Sequence, residues 1–564
     1  MALVLALVAC ATVLPGRLAA TTAAPPSGAG VGTTTLLVAD LKGLTHDEQI
    51  VFTVLQGIVN RTSASVYYVG LLGGQDYRTD PTAEIWLHDA VDLPTQQVPD
   101  PYELLLRFRK AVHGLVVWDP ALKVDTQNVA TTMAGLEDVL PVSPDSAKVL
   151  SAPPYGFPIV EDLRNEHFAS RAAAYEWALR RFPPEHERYG LLAWLGGTRN
   201  FVPVGQHGLR DFIVARRGFA FEAEPIKEAS LVERILGAFP AGMSVYGYPF
   251  VDDVVYSTTA ATAGTTGIIQ APGEPVGVTE ISASGKQLVP STDSANLTVH
   301  SSFPAIPQSP TWDDGPRRPQ AGTTYVSFVI TDGDNLGWDQ QRLRVYHWDD
   351  PLRGTIPVGV SISPLLATHA PRIYDYYLRT ATPNEVFISG PSGAGYTYPG
   401  YQSDLDGYLD RTKPLVDLAG LRAVWILDYG YLASPSPATT ARYVEKLNPS
   451  AIFADYGGWV LPNPPEVAFS GRTPVLHAAW GENVDNTVSR IRGSSFQQLQ
   501  HQPYAFVFVA LVTSSMGFKQ AHEVMDQLAQ PYFGVSRPYE VVRPDHLIGL
   551  IRGARLSGTQ FPPG

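Results

Sequence analysis

The chain has 564 residues and 45% of them are hydrophobic, so it is long enough for several domains and can bury a large core. Glycine (50) and proline (48) are abundant while charged residues make up only 17%, which indicates many surface loops built from turn residues. A net charge of −13 without a cluster of Lys and Arg excludes a nucleic-acid-binding protein, and the composition excludes a chain that is disordered or membrane-embedded as a whole.

The N-terminal run Met1–Leu14 is apolar but too short to span a bilayer. It resembles the hydrophobic part of an export signal that lacks its basic start. Cys10 is the sole cysteine and follows Leu7-Val8-Ala9 as in a bacterial lipoprotein cleavage box, whereas cleavage near Ala20 would remove it. We therefore expect an exported protein that is either secreted or lipid-anchored at Cys10. The anchor is the only membrane contact that we expect, and the mature fold contains no intrachain disulfide.

The first elements form a βαβ pattern. Thr34–Ala39 is predicted as a strand, and Thr45 with Glu48 has the spacing of a capping box at the start of a helix. Apolar residues recur at helical spacing over Ile50–Ile58, and Ser65–Val69 is predicted as the next strand.

Two further α/β units precede residue 316. One begins with the strand Gly114–Asp119 and a helix over Asn128–Leu140, and the Pro-rich stretch Ser151–Pro158 marks its boundary. The other extends from about Ala172 to Pro304. We predict an export signal and linker over residues 1–30, small α/β domains over 31–105, 106–170 and 171–315, and a catalytic domain over 316–564.

From Thr323 onward, short apolar strands alternate regularly with helical segments. The predicted strands are Tyr325–Thr331, Val358–Ser363, Glu385–Ser389, Ala423–Leu427, Ala451–Ala454, Pro474–His477, Tyr504–Val512 and Tyr539–Val542. About eight βα repeats in roughly 250 residues predict an α/β fold with a C-terminal (β/α)₈-like barrel. A doubly wound open sheet is the alternative, because a strand count from sequence can err by one or two.

Acids and aromatic residues recur where these strands end, which is the rim that carries the active site in a barrel. Paired carboxylates can cleave a glycosidic bond, and aromatic faces can stack on sugar rings, so the combination favours a carbohydrate site. The predicted catalytic acids are Asp332, Asp334, Asp428, Asp455 and Glu482. The predicted substrate contacts are Asn335, Trp338, Gly393, Gly395, Tyr396, Tyr398, Tyr429, Trp459 and Trp480.

The oxygens of Asp332, Asp334 and Asn335 also suit a divalent cation. The loop departs from an EF-hand, and the chain lacks the His-x-x-x-His pair that a metal-dependent polysaccharide deacetylase should supply. No Gly-x-Ser-x-Gly elbow of a serine hydrolase is present. We therefore expect no cofactor, with a divalent cation at Asp332 and Asp334 as the alternative.

The heptapeptide Gly393–Pro399, Gly-Ala-Gly-Tyr-Thr-Tyr-Pro, matches the signature of the GxGYxYP family of glycoside hydrolases. Other stretches resemble that family as well, and the resemblance covers nearly the whole mature chain: Leu55–Arg61, Thr331–Asn335, Ala381–Asn384 and Gly390–Ser392. The resemblance implies small α/β domains before a barrel-like domain, export, and a role in carbohydrate use. It supplies no catalytic pair, so the roles of the acids depend on their positions at strand ends.

The leading hypothesis is an exported glycoside hydrolase that acts on an oligo- or polysaccharide. Asp332 and Asp334 supply one half of the acid/base machinery, Asp428 or Asp455 supplies the other across a cleft, and Glu482 is in reserve. Tyr396 and Tyr398 would shape the sugar subsite. The alternatives are a non-catalytic carbohydrate-binding or surface-assembly protein and, below it, a metal-dependent carbohydrate esterase or deacetylase. The sequence does not decide the sugar, the linkage, the stereochemical outcome or the oligomeric state.

Overall fold

The computed structural model describes residues 35–71, 81–196, 207–249, 273–291, 294–429, 434–455 and 466–562. The predicted export signal with Cys10, and the predicted sugar contact Trp459, lie outside these ranges. Within them, no helix has both the length and the apolar character needed to cross a membrane.

Three small parallel sheets with flanking helices make up the N-terminal half. The first unit contains β1 (Leu36–Asp40), α1 (His46–Val59), β2 (Val66–Val69), α2 (Thr82–Asp89), β3 (Thr95–Val98) and α3 (Tyr102–Arg107). The second contains β4 (Gly114–Val117), α4 (Lys123–Glu137), β5 (Val139–Val142), α5 (Pro144–Ser151), β6 (Ile159–Asp162) and α6 (Arg171–Arg181). The third contains β7 (Leu192–Leu195), α7 (Arg210–Ala215), β8 (Phe219–Phe221), α8 (Ala229–Ala238), β9 (Ser244–Tyr248), α9 (Gly273–Ala283), β10 (Gln287–Pro290) and α10 (Leu297–His300).

Local sequence signals explain the first two units well. The predicted capping box is present, since the Thr45 backbone N–H donates to Glu48 Oε2 (2.8 Å) and the Glu48 N–H donates to Thr45 Oγ1 (3.3 Å). The helix predicted over Asn128–Leu140 is α4, but it ends earlier because Asp138 takes a left-handed conformation (φ 56°) and the chain continues into β5. In the 2-1-3 and 5-4-6 strand orders the first strand lies at the centre of each sheet.

Side chains from α1 and from Asn60, the residue that follows it, join the first unit to the third. Gln56 Nε2 donates to Asn296 Oδ1 (2.7 Å), and Asn60 Nδ2 donates to Thr298 Oγ1 (3.0 Å). Asn296 also bonds to both backbone groups of Tyr68 (2.9 Å each). The stretch Leu55–Arg61 therefore contributes to packing between units.

The C-terminal half is a barrel wrapped by helices. Its elements are β11 (Thr324–Ile330), α11 (Leu336–Gln340), β12 (Val358–Ile362), α12 (Leu366–His369), α13 (Pro371–Thr380), β13 (Glu385–Ser389), α14 (Leu405–Ala419), β14 (Ala423–Ile426), α15 (Pro437–Leu447), β15 (Ala451–Ala454), β16 (Val467–Ser470), β17 (Thr473–Gly481), α16 (Val484–Leu499), β18 (Ala505–Leu511), α17 (Phe518–Leu528), β19 (Tyr539–Val541) and α18 (Pro544–Leu556).

The predicted barrel is confirmed, and an open sheet is excluded because β11 pairs with both β18 and β12. Seven parallel strands close the ring in the order β11-β12-β13-β14-β15-β17-β18. Within the described ranges, the eighth predicted strand, β19, pairs with Thr324–Val326 at the start of β11 and with no other strand, while β12 pairs with Phe328–Ile330 at the end of β11. The ring therefore has seven strands at its carboxyl end, which is called the rim below.

Aromatic side chains fill the barrel. Trp425 on β14 and Phe453 on β15 meet Phe508 on β18, with ring centroids 5.2 and 4.7 Å apart. These strands are not all neighbours in the ring, so the contacts cross its interior. This packed interior leaves the rim as the place where loops can build a site.

Candidate active site

The loop after β11 is held against the ends of the next two strands. A Cβ at Gly333 would lie 2.0 Å from the Ser361 carbonyl carbon, and one at Gly390 would lie 2.2 Å from the Gly333 oxygen. Glycine is therefore required where these backbones meet. The close approach brings the loops after β11, β12 and β13 together. Asp332, near the start of the loop after β11, has a left-handed φ of 67°.

The carboxyl groups of Asp332 and Asp334 lie in this loop, and both are half-buried. Thr513 Oγ1, which follows β18, donates a hydrogen bond to Asp332 Oδ2. Burial raises the pKa of Asp332, and the Thr513 bond opposes that change. Burial raises the pKa of Asp334 well above its usual value, and the negative charges of Asp332 and Glu274 raise it further. Asp334 is therefore the group of this pair that holds its proton to higher pH.

Asp339 on α11 is a third acid near this loop. It is fully buried, and its Oδ2 accepts a hydrogen bond from the Ser363 N–H (3.0 Å) after β12. Burial and then the charges of Asp334 and Asp332 raise the pKa of Asp339 well above its usual value. The sequence reasoning missed this residue because it lies within a helix and not at a strand end.

The signature loop, Gly393–Pro399, connects the barrel to the third N-terminal unit. The Leu288 N–H on β10 donates to the Tyr396 carbonyl (2.8 Å), and the Tyr396 N–H donates to the Leu288 carbonyl (2.6 Å). Gly395 has a φ of 97°, and a Cβ there would lie 2.9 Å from the Leu288 oxygen. This glycine therefore permits a backbone bridge between the two parts of the chain.

The same contact brings an acid from the third unit to the barrel. Tyr396 OH donates to Glu274 Oε1 (3.4 Å), and Tyr248 OH donates to Glu274 Oε2. Glu274, on α9, is near enough to Asp334 for its charge to raise the Asp334 pKa. The sequence reasoning missed Glu274 because it follows no barrel strand, and no local signal connects it with a loop so distant along the chain.

Both tyrosines of the signature are buried, although the sequence suggested them as sugar contacts. Tyr398 has 0% exposure, and its N–H donates to Ser282 Oγ (3.1 Å) on α9. The Tyr396 and Tyr398 rings are 5.4 Å apart and nearly perpendicular. The third unit covers them, which the strand-end pattern did not indicate, and their contact with a sugar stays a prediction.

Asp428 follows β14 and is 7% exposed. The Gly400 N–H, just after the signature loop, lies 3.2 Å from Oδ1 and 3.0 Å from Oδ2 of this carboxyl group. Burial raises the pKa of Asp428 to about 6, and the Gly400 bond opposes that change. Its neighbour Tyr429 has a left-handed φ of 43°, and its ring is exposed.

Asp455 follows β15, and hydrogen-bond partners surround its carboxyl group. Ser434 Oγ donates to Oδ2 (2.7 Å), His477 Nδ1 lies 2.7 Å from the same oxygen, and the Ala478 N–H donates to Oδ1 (3.3 Å). The Asp455 carbonyl accepts from Trp425 Nε1 (3.0 Å). The carboxylate thus ties the end of β15 to β17, and its predicted catalytic role stays a prediction.

The other predicted site residues have local partners. Asn335 Oδ1 caps α11 by accepting from the Trp338 N–H (3.1 Å), and Glu482 Oε2 accepts from Trp480 Nε1 (3.2 Å). The side chains of Trp338 and Trp480 are buried. Among the described residues, no three or more His, Cys, Asp or Glu side chains form a group that could hold a metal ion.

These features define a multidomain protein with a parallel barrel whose rim carries a set of acids and is partly covered by a small α/β domain. Residues 322–552 match the domain described as "GxGYxYP putative glycoside hydrolase C-terminal domain". Residues 35–110, 112–186 and 194–302 match the first, second and third N-terminal domains of the same family. The chain belongs to the GxGYxYP family, as the signature indicated.

A solved structure described as a "putative hydrolase" from Bacteroides thetaiotaomicron VPI-5482 is similar over 92% of this chain and 94% of that chain, with 23% identity and a TM-score of 0.73. This similarity supports the fold alone. A "putative polysaccharide deacetylase" from Mycobacterium smegmatis covers 46% of this chain at 10% identity, and its TM-score of 0.29 carries no argument. No curated protein was found to match the chain.

Proposed function

We propose that the protein hydrolyses a glycosidic bond of an oligo- or polysaccharide at the barrel rim, with Asp334 as the general acid. The family description supports this class of reaction. The observation that carries the proposal is the placement of Asp334, a half-buried carboxyl group whose pKa is raised first by burial and then by the charges of Asp332 and Glu274. A protonated carboxylic acid near neutral pH is what the first step of glycoside hydrolysis requires.

Asp332 is the proposed partner of Asp334. Because Thr513 donates to Asp332, this carboxyl group loses its proton before Asp334 does. Asp334 would protonate the leaving oxygen, and the Asp332 carboxylate would attack the sugar or activate a water molecule. Asp428 is the second candidate for this role, because its carboxyl group lies at the same rim with a pKa of about 6.

The test is a search for new reducing ends. The full chain is incubated with a panel of aryl glycosides and soluble polysaccharides, and products are separated by chromatography. We expect cleavage by the wild type and loss of it in Asp334→Asn. Asp417→Asn, which removes an exposed acid paired with Lys413 on α14, is the matched control and should cleave normally. Full activity in Asp334→Asn would overturn the assignment of the acid.

The same assay separates the other hypotheses. Binding of a polysaccharide without new reducing ends would support a carbohydrate-binding protein, and release of acetate that a chelator stops would support a metal-dependent esterase. A divalent cation at Asp332 and Asp334 stays a prediction that the chelator also tests. Export and lipid attachment at Cys10 stay predictions as well, and fractionation of cells that produce the wild type or Cys10→Ala would test them.

A further inference from the structure

Two exposed tyrosines form a pair beside Asp428. Tyr401 is 46% exposed and Tyr429 is 39% exposed, although most aromatic side chains around the rim are buried. Their ring centroids are 5.8 Å apart and their planes are inclined by 36°. The two rings therefore present adjacent apolar faces with hydroxyl groups at their edges, which is a surface that suits the face of a pyranose ring.

Backbone hydrogen bonds fix the two segments that carry these rings. The Tyr401 N–H donates to the Tyr398 carbonyl (2.9 Å), and the Gly400 N–H donates to the Asp428 carboxyl group. Asp428 immediately precedes Tyr429, so one buried carboxyl group fixes the loop of one tyrosine to the strand end of the other. A surface whose geometry is set before binding loses little entropy when a ligand arrives.

The pair also continues a row of rings that starts at the acids. Glu274, beside Asp334, accepts from Tyr396; Tyr396 contacts Tyr398; and the Tyr398 ring lies 6.2 Å from that of Tyr429. The row thus extends from the half-buried Glu274 to the exposed pair. A sugar on the exposed pair would therefore be separated from Glu274 and Asp334 by the rings of Tyr396 and Tyr398.

We propose that Tyr401 and Tyr429 form a binding subsite for one sugar ring of a glycan chain, away from the bond that is cleaved. This inference depends on the proposed function, and it specifies the preferred substrate as a chain of several sugar units.

The chain offers a matched control on another surface. Tyr532 (51% exposed) and Phe533 (89% exposed) also form an aromatic pair, with centroids 4.3 Å apart. They lie in the loop between α17 and β19, and β19 pairs with the start of β11, at the end of the barrel opposite the rim. Substitution there removes an exposed tyrosine without touching the proposed subsite.

The experiment compares Tyr401→Ala, Tyr429→Ala and Tyr532→Ala, each made in the full chain with Asp334→Asn. Retardation is measured in native gels that contain xylan, β-glucan, pullulan, galactomannan or polygalacturonate. We expect one or more gels to retard the parent, and each rim substitution to weaken that binding about 3- to 10-fold, the size of one aromatic contact. Tyr532→Ala should bind like the parent. No retardation of the parent, or equal losses in all three variants, overturns the proposal.

Turnover gives the second measurement. In the background with Asp334 intact, Tyr401→Ala and Tyr429→Ala should raise KM for long oligosaccharides and change kcat/KM for an aryl monoglycoside much less. Equal effects on both substrates would mean that the tyrosines act on the site as a whole, which contradicts a separate subsite. Failure of the proposed hydrolysis is distinguishable, because the tyrosine-dependent retardation would then persist while the wild type produced no reducing ends.

Discussion

Asp334 and Asp455 are the same residue type at the same rim, and their surroundings differ. Asp455 is 1% exposed, and Ser434, His477 and Ala478 surround its two oxygens with hydrogen-bond partners. Asp334 faces the acids Asp332 and Glu274. Donors fix a carboxylate and stabilise the fold, whereas burial and neighbouring acids raise the pKa of a carboxyl group, which suits a proton donor. We therefore expect the role of a strand-end acid to depend on its neighbours and not on its position alone.

The largest expected effect tests the Asp334 side of this contrast. Asp334→Asn should lower kcat/KM about 10²- to 10⁴-fold, because it removes the proton that the leaving oxygen needs. The melting temperature should stay the same or rise, since the substitution removes a group that is crowded by Asp332 and Glu274. Steady-state kinetics and calorimetry measure the two quantities. A large fall in the melting temperature would place Asp334 in the same structural class as Asp455.

The next effect tests the Asp455 side. Asp455→Asn should lower the free energy of unfolding by about 2–4 kcal/mol, because His477, Ser434 and Ala478 lose a charged acceptor. Denaturant unfolding measures the change, and the double variant with His477→Ala should cost less than the sum of the single variants. If Asp455→Asn folds with wild-type stability but loses activity, the contrast between the two acids fails.

Asp428 is buried, as Asp455 is, but its pKa is raised, as that of Asp334 is. The pH dependence of protein stability shows which of these two acids it resembles. Its pKa in the folded protein is about 6, above the value of an unfolded chain, so its stabilising contribution is complete below about pH 4 and is lost as the pH rises through 6. Asparagine does not titrate, so Asp428→Asn avoids this loss of stability. At pH 8 its free energy of unfolding should exceed that of the wild type by about 1–3 kcal/mol. Unfolding at pH 4, 6 and 8 measures the slope, with Asp417→Asn as control; an unchanged slope contradicts the prediction.

The smallest expected effect concerns the negative charge of Glu274, which raises the pKa of Asp334. Glu274→Gln retains one acceptor oxygen for a tyrosine hydroxyl, places an NH₂ donor opposite the oxygen of the other tyrosine, and removes the charge near Asp334. Above neutral pH the variant should be more stable by about 1 kcal/mol, the upper size of an interaction between partly exposed charges, because the neutral side chain no longer raises the Asp334 pKa. The gain should disappear when Asp334→Asn is also present. Glu280→Gln, on the same helix but beside Glu233, provides the control, and a gain that survives in the double variant would contradict the coupling.

Much of the fold could be predicted from short-range patterns. The capping box at Thr45 and Glu48 and the strand periodicity depend on neighbours within a few residues, and a repeated βα order specifies a barrel. The seven-strand closure could not be predicted, because β19 has the local pattern of a strand but pairs only with the beginning of β11.

The candidate site was predictable only in part, for the same reason. Asp332, Asp334, Asp428 and Asp455 follow strands and could be found by position. Glu274, the partners of Asp455 and the burial of Tyr398 depend on contacts between distant segments, such as the 122 residues that separate Glu274 from Tyr396. The spacing of apolar residues along the sequence does not indicate which unit packs over which loop.

The backbone bridge between Leu288 and Tyr396 covers an edge of the third unit that is exposed earlier, during synthesis. Strand β10 is at the edge of its four-stranded sheet, and the signature loop occupies part of that edge. During synthesis the third unit emerges well before the loop, since Ser282 and its partner Tyr398 are 116 residues apart. Until the barrel loop arrives, β10 presents unpaired backbone groups to other chains. The heptapeptide therefore also protects a sheet edge, and a chain cut before the barrel should self-associate.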